Sequence, residues 1–345
     1  MSGRHGVIAA VTRRHPYRLV RRPAAAAVPR LDGAQRAVVS HRRGPLLVVG
    51  GPGTGKTTTL VEAVAARVAE GADPERVLVL TFNRRGAAAL RQRIARRVAA
   101  GRAVHEPLVR TFHAYAFGLL RRAAAAAGEP PPRLLTGPEQ DLVIRELLRG
   151  APERWPARLA AALPTRAFAT QLRDLMSRAV ERGIDAAALD ALGARHGRDD
   201  WRAAAAFMTE YEQVLALRDA TTRGSVGYDP AELVRAAVAL LTDDPDLLAA
   251  ERRRLVAVYV DEYADTDPAQ RDLLELIAGG GGDLVVFADP DSSTYAFRGG
   301  DPDGVRQFPD RFPTVAGGPA PVLTLTRSYR AGPRLLAAVA RVGRR

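Results

Sequence analysis

The residues best suited to chemistry lie in a glycine-rich stretch around Lys56, the only lysine among the 51 lysine and arginine residues of the chain. Gly50, Gly55, Lys56 and Thr57 fit the pattern G-x-x-x-x-G-K-[ST]. Glycines let backbone N–H groups approach phosphate oxygens, lysine reaches the β- and γ-phosphates as a compact charge, and the threonine hydroxyl can ligate Mg2+. The pattern predicts a nucleotide-binding P-loop. The predicted contacts are Gly50, Gly51, Pro52, Gly53, Thr54, Gly55, Lys56, Thr57 and Thr58.

A second reactive group is an acidic pair much later in the chain. Asp261 and Glu262 directly follow the apolar run LVAVYV. At the carboxyl end of a parallel strand, such a pair suits Mg2+ binding and water activation. We expect Asp261 to hold the metal together with Thr57, and Glu262 to polarise the attacking water. The alternative is a solvated acidic loop, because further aspartates follow.

The elements that must position these groups alternate along the chain from residue 45. The strand-like apolar runs are PLLVVG, RVLVLTF, LVAVYV, DLVVFA and PVLTLT, with longer helical stretches between them. This alternation predicts an α/β fold with a parallel sheet covered on both faces. Between about 115 and 225 the strand signals disappear, which predicts an all-helical insertion.

Composition narrows the class of protein. The 345 residues include 51 Lys+Arg and 38 Asp+Glu, a net charge of +13 that favours nucleic-acid partners, although an arginine-rich coding bias could also produce it. The absence of cysteine excludes disulfides, cysteine-zinc sites and iron-sulfur clusters. No apolar run is long enough to span a membrane, so we expect a cytoplasmic protein. Residues 1–30 hold seven arginines and no acid, which predicts a basic arm.

Seven ordered segments resemble the UvrD/Rep-type superfamily 1 DNA helicases, from about residue 31 to the end. They are LDGAQRAVV, VLTFNRRGAAALRQRI, VRTFHAYAFGLLR, GYDPAEL, VDEYADTDPAQ, ADPDSSTYAFRGGD and LTRSYR, in addition to the P-loop. The resemblance implies a RecA-like P-loop NTPase sheet, domain 1A, at 31–115 and 226–318. It implies a helical domain 1B at 116–225 and the start of a second RecA-like domain, 2A, at 319–345.

The resemblance also implies roles for particular residues. Gln35 would read the adenine edge, Tyr329 would stack on the adenine, and Arg330 would contact the γ-phosphate as a catalytic residue. Aromatic faces suit single-stranded DNA, because bases stack on them without sequence preference. The implied DNA contacts are Thr81, Phe82, Thr111, Phe112, His113, Tyr295, Phe297 and Arg298. A basic helix nearby faces either DNA or solvent; its arginines are Arg84, Arg85, Arg91, Arg93, Arg96 and Arg97.

The chain departs from the family pattern in three places. Ala264 and Ser292 stand where the family has glutamines near the carboxylates and the γ-phosphate. The chain also ends at Arg345, which we interpret as shortly after the start of domain 2A. We therefore expect a chain that binds Mg-ATP and DNA but hydrolyses slowly and does not unwind alone.

Full-length relatives typically move 3′ to 5′ on one strand or at duplex ends, in repair or recombination. The stretch HPYRLVRRPAAAAVP and the altered motifs most resemble the motor of the actinobacterial heterodimeric helicase-nuclease, which implies a partner subunit. Two alternatives stay open. One is a non-catalytic DNA-binding or scaffolding subunit, favoured by Ala264 and Ser292, and the other is a P-loop ATPase without DNA activity.

Overall fold

The centre of the molecule is a parallel β-sheet, seen in a computed structural model that describes residues 28–98, 107–221, 226–293 and 299–342. The strands are β1 (Pro45–Gly50), β2 (Val77–Thr81), β3 (Leu108–Thr111), β4 (Arg133–Leu134), β5 (Gly227–Tyr228), β6 (Ala257–Val260), β7 (Leu284–Ala288) and β8 (Val322–Leu325). Six of them form one sheet in the order β3-β2-β6-β7-β1-β8, and every neighbouring pair is parallel. The short strands β4 and β5 pair separately.

Thirteen α-helices lie within the described ranges. They are α1 (Gly33–Ser40), α2 (Lys56–Ala69), α3 (Arg84–Val98), α4 (Phe112–Ala127), α5 (Gly137–Gly150), α6 (Arg166–Glu181), α7 (Ala186–Arg195), α8 (Asp199–Thr221), α9 (Glu232–Asp243), α10 (Pro245–Arg254), α11 (Pro268–Ala278), α12 (Asp303–Arg311) and α13 (Pro333–Val342). None of these helices is both long and apolar enough to cross a membrane.

The sheet is covered on both faces, as its continuous apolar strands predict. Successive residues of β2 alternate between the faces, so that Leu78 and Leu80 join one core while Val77 and Val79 join the other. Helices α4, α9, α11 and α12 contribute to the first core, and α1, α2 and α3 to the second. The prediction of an α/β fold is confirmed.

Helices α5 to α8 pack around a core of their own. This third cluster runs from Leu135 to Leu215, and Trp155 lies at its centre with its ring 5.2 Å from that of Phe168. The separately packed region thus begins later than the predicted boundary at 116. Helix α4 instead buries its apolar side against the sheet. The predicted insertion is helical apart from the short strand β4, and its first predicted residues belong to the sheet's core.

The strand β8 corrects the predicted start of a second domain at 319. It pairs in parallel with β1, Leu47 facing Val322 and Gly50 facing Leu325, and so forms the edge of the same sheet. The sequence identified the strand but could not show which neighbour completes its hydrogen bonds. Helix α13 follows and exposes Leu335 and Val339. The predicted basic arm at 1–30 lies almost entirely outside the described residues.

Candidate functional site

The loop between β1 and α2 holds its shape through two glycines with left-handed backbone. Gly53 has φ +80° and Gly55 has φ +86°. A Cβ on Gly53 would lie 2.6 Å from the Cβ of Arg330, and one on Gly55 would lie 2.6 Å from Nε2 of Gln35. Both the backbone angle and the space therefore require glycine. Lys56 then begins α2 with the orphan N–H groups of the helix facing the loop.

The Lys56 ammonium lies folded back on the loop. Its Nζ donates to the carbonyl oxygens of Gly50 at 2.5 Å and Gly51 at 3.1 Å, and to Oδ2 of Asp289 at 3.2 Å. Asp289 follows β7, the neighbour of β1 in the sheet. Asp289 belongs to the segment ADPDSSTYAFRGGD, but its sequence position alone predicts no contact with Lys56. A phosphate that binds Lys56 competes with this carboxylate for the same charge.

The side chain of Thr57 in the P-loop lies next to the carboxylate of Asp261, which follows β6. Oγ1 of Thr57 donates to Oδ2 of Asp261 at 3.3 Å. Asp261 is buried, and burial raises its pKa above the usual value although Thr57 and Lys56 act against this shift. The Asp261 carboxylate is buried, and its charge is only partly balanced by its neighbours. Together with the Thr57 hydroxyl it offers oxygen ligands that suit a divalent cation such as Mg2+.

Glu262 has an unusual backbone conformation. Its φ is +59°, and it is the one non-glycine residue with positive φ in the described part of the chain. Burial, together with Asp261 and Asp265, raises the pKa of Glu262 to about 7. The neighbouring Thr81 hydroxyl opposes that shift in the pKa of Glu262. A strained acid that titrates near neutral pH is a candidate general base.

The opposite end of the pocket carries the residues expected at the adenine. Gln35 donates from Nε2 to the Thr54 carbonyl at 3.2 Å, and its backbone N–H donates to the Asp32 carboxylate that caps α1. Tyr329 donates from its hydroxyl to Asp32 at 2.7 Å and from its backbone N–H to the Gly53 carbonyl at 2.8 Å. The half-exposed Tyr329 ring thus lies beside the P-loop and Gln35.

One cavity of about 460 Å³ is lined by Lys56, Thr57, Glu262, Tyr329 and Arg330 among others. Ala264 and Ser292, the two departures from the family pattern, also line it. Arg93 lines it as well, and its Nη2 donates to Oγ1 of Thr58 at 3.0 Å. A contact between Arg93 and the nucleotide was not predicted from the sequence. Its position on α3, three turns after the strand β2, held no signal that distinguished it from the other arginines of that helix.

A second cleft of about 810 Å³ lies beyond β2 and β3. One wall comes from the sheet through Phe82, Asn83, Thr111 and His113. The other wall is one face of α6, whose residues recur at three- and four-residue spacing. The α6 residues that line the cleft are Gln171, Asp174, Leu175, Arg178 and Glu181.

The cleft carries charges of both signs. Arg84 and Arg178 line it together with Asp174, Glu181 and Asp267. Burial raises the pKa of Asp267 to about 6. Burial and the same two arginines lower the pKa of His113, so its imidazole is neutral at physiological pH. The cleft is therefore less basic than the composition of the chain suggests.

A scan against protein-family models matches residues 31–313 to the UvrD/REP helicase N-terminal domain. The chain belongs to the UvrD/REP helicase family. Curated relatives include UvrD1 of Mycobacterium leprae, 29% identical over 319 residues, covering 89% of this chain and 38% of the relative. UvrD2 of Mycobacterium tuberculosis is 31% identical over 331 residues, covering 90% and 43%. DNA helicase II of Escherichia coli is 27% identical over 313 residues, covering 89% and 39%.

The chain thus spans about two fifths of the length of these UvrD/REP relatives. All three are named as DNA helicases, and UvrD1 and UvrD2 are named as ATP-dependent. The resemblance to the family is confirmed. The narrower resemblance to the actinobacterial helicase-nuclease motor stays a prediction.

The structure brings together every residue expected at the nucleotide, and it divides those expected at DNA. Phe82, Thr111 and His113 line the cleft. Phe112 does not, because its side chain is 1% exposed and lies in the core, so its predicted stacking on DNA is wrong. Thr81 is 2% exposed and faces Glu262 instead of the cleft. The three remaining predictions lie outside the described residues: Tyr295, Phe297 and Arg298.

Proposed function

We propose that this chain is the ATP-binding motor portion of a DNA helicase, which binds Mg-ATP and single-stranded DNA and hydrolyses ATP. The observation that carries the proposal is the meeting of Lys56, Thr57 and Glu262 in one cavity beside a second cleft, with the Asp261 carboxylate accepting the hydrogen bond of Thr57. These residues come from segments far apart in the sequence. Their assembly at the carboxyl edge of a parallel sheet is the arrangement that phosphoryl transfer to water requires.

In this proposal the chain's own groups divide the work. Lys56 exchanges Asp289 for the β- and γ-phosphates, and the amides at the start of α2 face the same oxygens. Thr57 and Asp261 would hold Mg2+, which supplies charge neutralisation at the phosphates. Glu262 accepts a proton from the attacking water as a general base.

The remaining contacts fix the orientation of the nucleotide. Tyr329 offers a half-exposed ring beside Gln35, which suits stacking and edge recognition of adenine. Arg330 and Arg93 also line the pocket and add positive charge at the phosphates.

The second cleft is the proposed path of single-stranded DNA. The half-buried Phe82 offers a stacking surface, while Arg84 and Arg178 offer charge to phosphates. The resemblance to the helicase family alone supports two further proposals, 3′ to 5′ movement along DNA and a role in repair or recombination. It also supports the proposals of a cytoplasmic location and of a helicase-nuclease partner subunit. The division into domains 1A and 1B is also a proposal. Because the relatives are more than twice as long, unwinding is proposed for a whole protein of their length.

The test is ATP hydrolysis by the purified chain with and without an oligo-dT strand. We expect slow hydrolysis that the strand stimulates, and loss of both rates in Lys56→Ala and Lys56→Arg, because a guanidinium is too bulky for the loop. Salt-sensitive binding of the strand should persist in both variants. Equal rates in the wild type and the two variants would contradict the enzyme proposal.

A second candidate is a non-catalytic DNA-binding or scaffolding subunit. Ala264 and Ser292 favour it, since both line the pocket with side chains too short to reach a γ-phosphate. Strand binding without hydrolysis in the wild type would select this candidate. Hydrolysis without strand binding would select a P-loop ATPase that does not act on DNA.

A further inference from the structure

The C-terminal end of α6 is capped by an arginine from outside the helical insertion. Helix α6 supplies one wall of the cleft, and the last carbonyl groups of an α-helix lack partners within the helix. Arg235 lies on α9, which packs in the core of the sheet, and its Nε donates to the Val180 carbonyl at 2.9 Å. A cation at this position also faces the negative end of the helix dipole. Arg235 therefore ties the end of α6 to the sheet's own core.

The turn that ends α6 leaves room for the Arg235 guanidinium. Gly183 has φ +73°, and its N–H donates to the Val180 carbonyl at 3.0 Å. The N–H of Ile184 donates to the Ala179 carbonyl at 2.8 Å. This pair of bonds is the Schellman arrangement, in which glycine follows the helix. A Cβ on Gly183 would overlap Nη2 of Arg235, so a larger residue there would displace the guanidinium.

The capped end of α6 is the part of this helix that reaches the cleft. Arg178 and Glu181, which flank Val180, both line the cleft. Leu233, two residues before Arg235 on α9, lines it as well, whereas Arg235 does not. The hydrogen bond from Arg235 to Val180 thus joins two helices that both contribute to the cleft. It sets how far Arg178 lies from the side chains on the sheet's wall.

We propose that Arg235 is a positioning residue, which fixes the end of α6 and so sets the affinity of the cleft for single-stranded DNA. Without this bond α6 can move away from α9, and Arg178 then lies at a different distance from Phe82 on the opposite wall. This role rests on the proposed function, because it concerns the proposed path of the strand. Arg235 acts through α6 and touches neither the strand nor the nucleotide.

The test compares Arg235→Met, which removes the donors and keeps an apolar stem, with Arg235→Lys, which keeps a donor and the charge. The matched control is Arg182→Met, because Arg182 is exposed at the same helix end and does not line the cleft. We expect Arg235→Met to raise the Kd for oligo-dT about fivefold, because part of the contribution of a charged hydrogen bond reaches the strand through α6. Arg235→Lys should restore most of the affinity, and Arg182→Met should stay within about twofold of the wild type.

A double-mutant cycle separates positioning from direct contact with the strand. Arg178→Met should raise the Kd for oligo-dT, since Arg178 lines the cleft. If Arg235 acts by placing Arg178, the double variant binds no more weakly than Arg178→Met alone. If both arginines bind phosphates independently, their fold-changes multiply, and the positioning role is wrong. The Kd of a fluorescent ATP analogue should not change in these variants, because neither arginine lines the nucleotide pocket.

A further measurement needs no strand. Hydrogen exchange of the segment 176–184 is followed in the wild type and in the variants without DNA. We expect faster exchange in Arg235→Met and in Gly183→Ala, since both remove the cap on the Val180 carbonyl. Exchange in Arg235→Lys and in Arg182→Met should match the wild type.

Wild-type strand affinity in Arg235→Met would overturn the positioning role of Arg235, and so would failure of Arg235→Lys to restore the affinity. Equal exchange in Arg235→Met and the wild type would show that Arg235 does not hold the end of α6. If the wild type does not bind oligo-dT but Arg235→Met exchanges faster, the proposed strand path fails while the cap on α6 stands.

Discussion

The nucleotide pocket and the neighbouring cleft share one sheet edge but are built differently. Every wall of the pocket comes from loops at the ends of the sheet's strands or from helices that begin there, including Lys56 after β1 and Glu262 after β6. The cleft takes only one wall from the sheet and the other from α6 of the helical insertion. Short sequence motifs therefore determine which residues form the nucleotide pocket. The lining of the cleft depends instead on how the core of the sheet and the core of helices α5 to α8 lie against each other.

That difference explains the charges of the two sites. In the pocket, the buried Asp261 accepts a hydrogen bond from Thr57, and the partly buried Asp289 pairs with Lys56. In the cleft, arginines and carboxylates alternate along α6 itself, where Arg178 pairs with Glu181. Part of the positive charge is thus neutralised before any strand binds. Overall net charge consequently says little about the affinity of this cleft.

The strongest way to separate the two sites is Glu262→Gln. It removes the proposed general base while keeping the size of the side chain, so kcat for ATP should fall by about 100-fold or more. Kd for oligo-dT should stay within about twofold, measured by fluorescence anisotropy, because Glu262 does not line the cleft. Near-wild-type hydrolysis would show that Glu262 is not the base.

The pair Phe112→Ala and Phe82→Ala sharpens the comparison in the cleft. Phe112→Ala should lower the free energy of unfolding by about 3–5 kcal/mol, because it opens a cavity in the core. Phe82→Ala should leave stability nearly unchanged and weaken oligo-dT binding by about 1–3 kcal/mol. Urea denaturation and anisotropy measure the two effects. If a stably folded Phe112→Ala variant binds oligo-dT more weakly than the wild type, Phe112 contacts DNA despite its burial.

A smaller effect is expected from Arg93→Ala. Loss of one partly solvated cation from the pocket should raise the Kd of a fluorescent ATP analogue by roughly threefold to tenfold, equivalent to about 1 kcal/mol. Arg96→Ala is the matched control, since Arg96 is exposed on the same helix and does not line the pocket. Equal Kd values for both variants would show that Arg93 is a solvated residue of α3 that does not contribute to nucleotide binding.

The last prediction concerns stability instead of either site, at the joint between the two cores, where Glu232 begins α9. Burial, Asp229 and Glu212 raise the pKa of Glu232 to about 7, so the folded chain binds this proton more tightly than the unfolded chain. Stability should therefore fall as pH rises from about 4.5 to 7. Glu232→Gln should flatten this fall and stabilise the chain at pH 8 by at most about 1–3 kcal/mol in urea denaturation. Glu153→Gln, on an exposed turn, should change nothing.

Sequence reasoning recovered the strands, the P-loop and the acidic pair because each depends on neighbouring residues. It failed where distant segments meet. Phe112 and Thr81 end or follow strands that point toward the cleft, yet the helix α4 turns Phe112 into the core and the register with β6 turns Thr81 toward Glu262. Arg93 and Asp289 acquire their neighbours only when α3 and β7 pack beside the P-loop.

The pairing of β8 with β1 has a mechanical consequence. Beyond Leu325, Tyr329 is also tied by its backbone N–H to the Gly53 carbonyl. Because β8 and β1 lie in parallel along four register pairs, tension on the chain after β8 along the strand direction loads their hydrogen bonds together in shear. A pull from that side of the molecule therefore acts on the backbone of β1, whose last residue, Gly50, begins the phosphate loop.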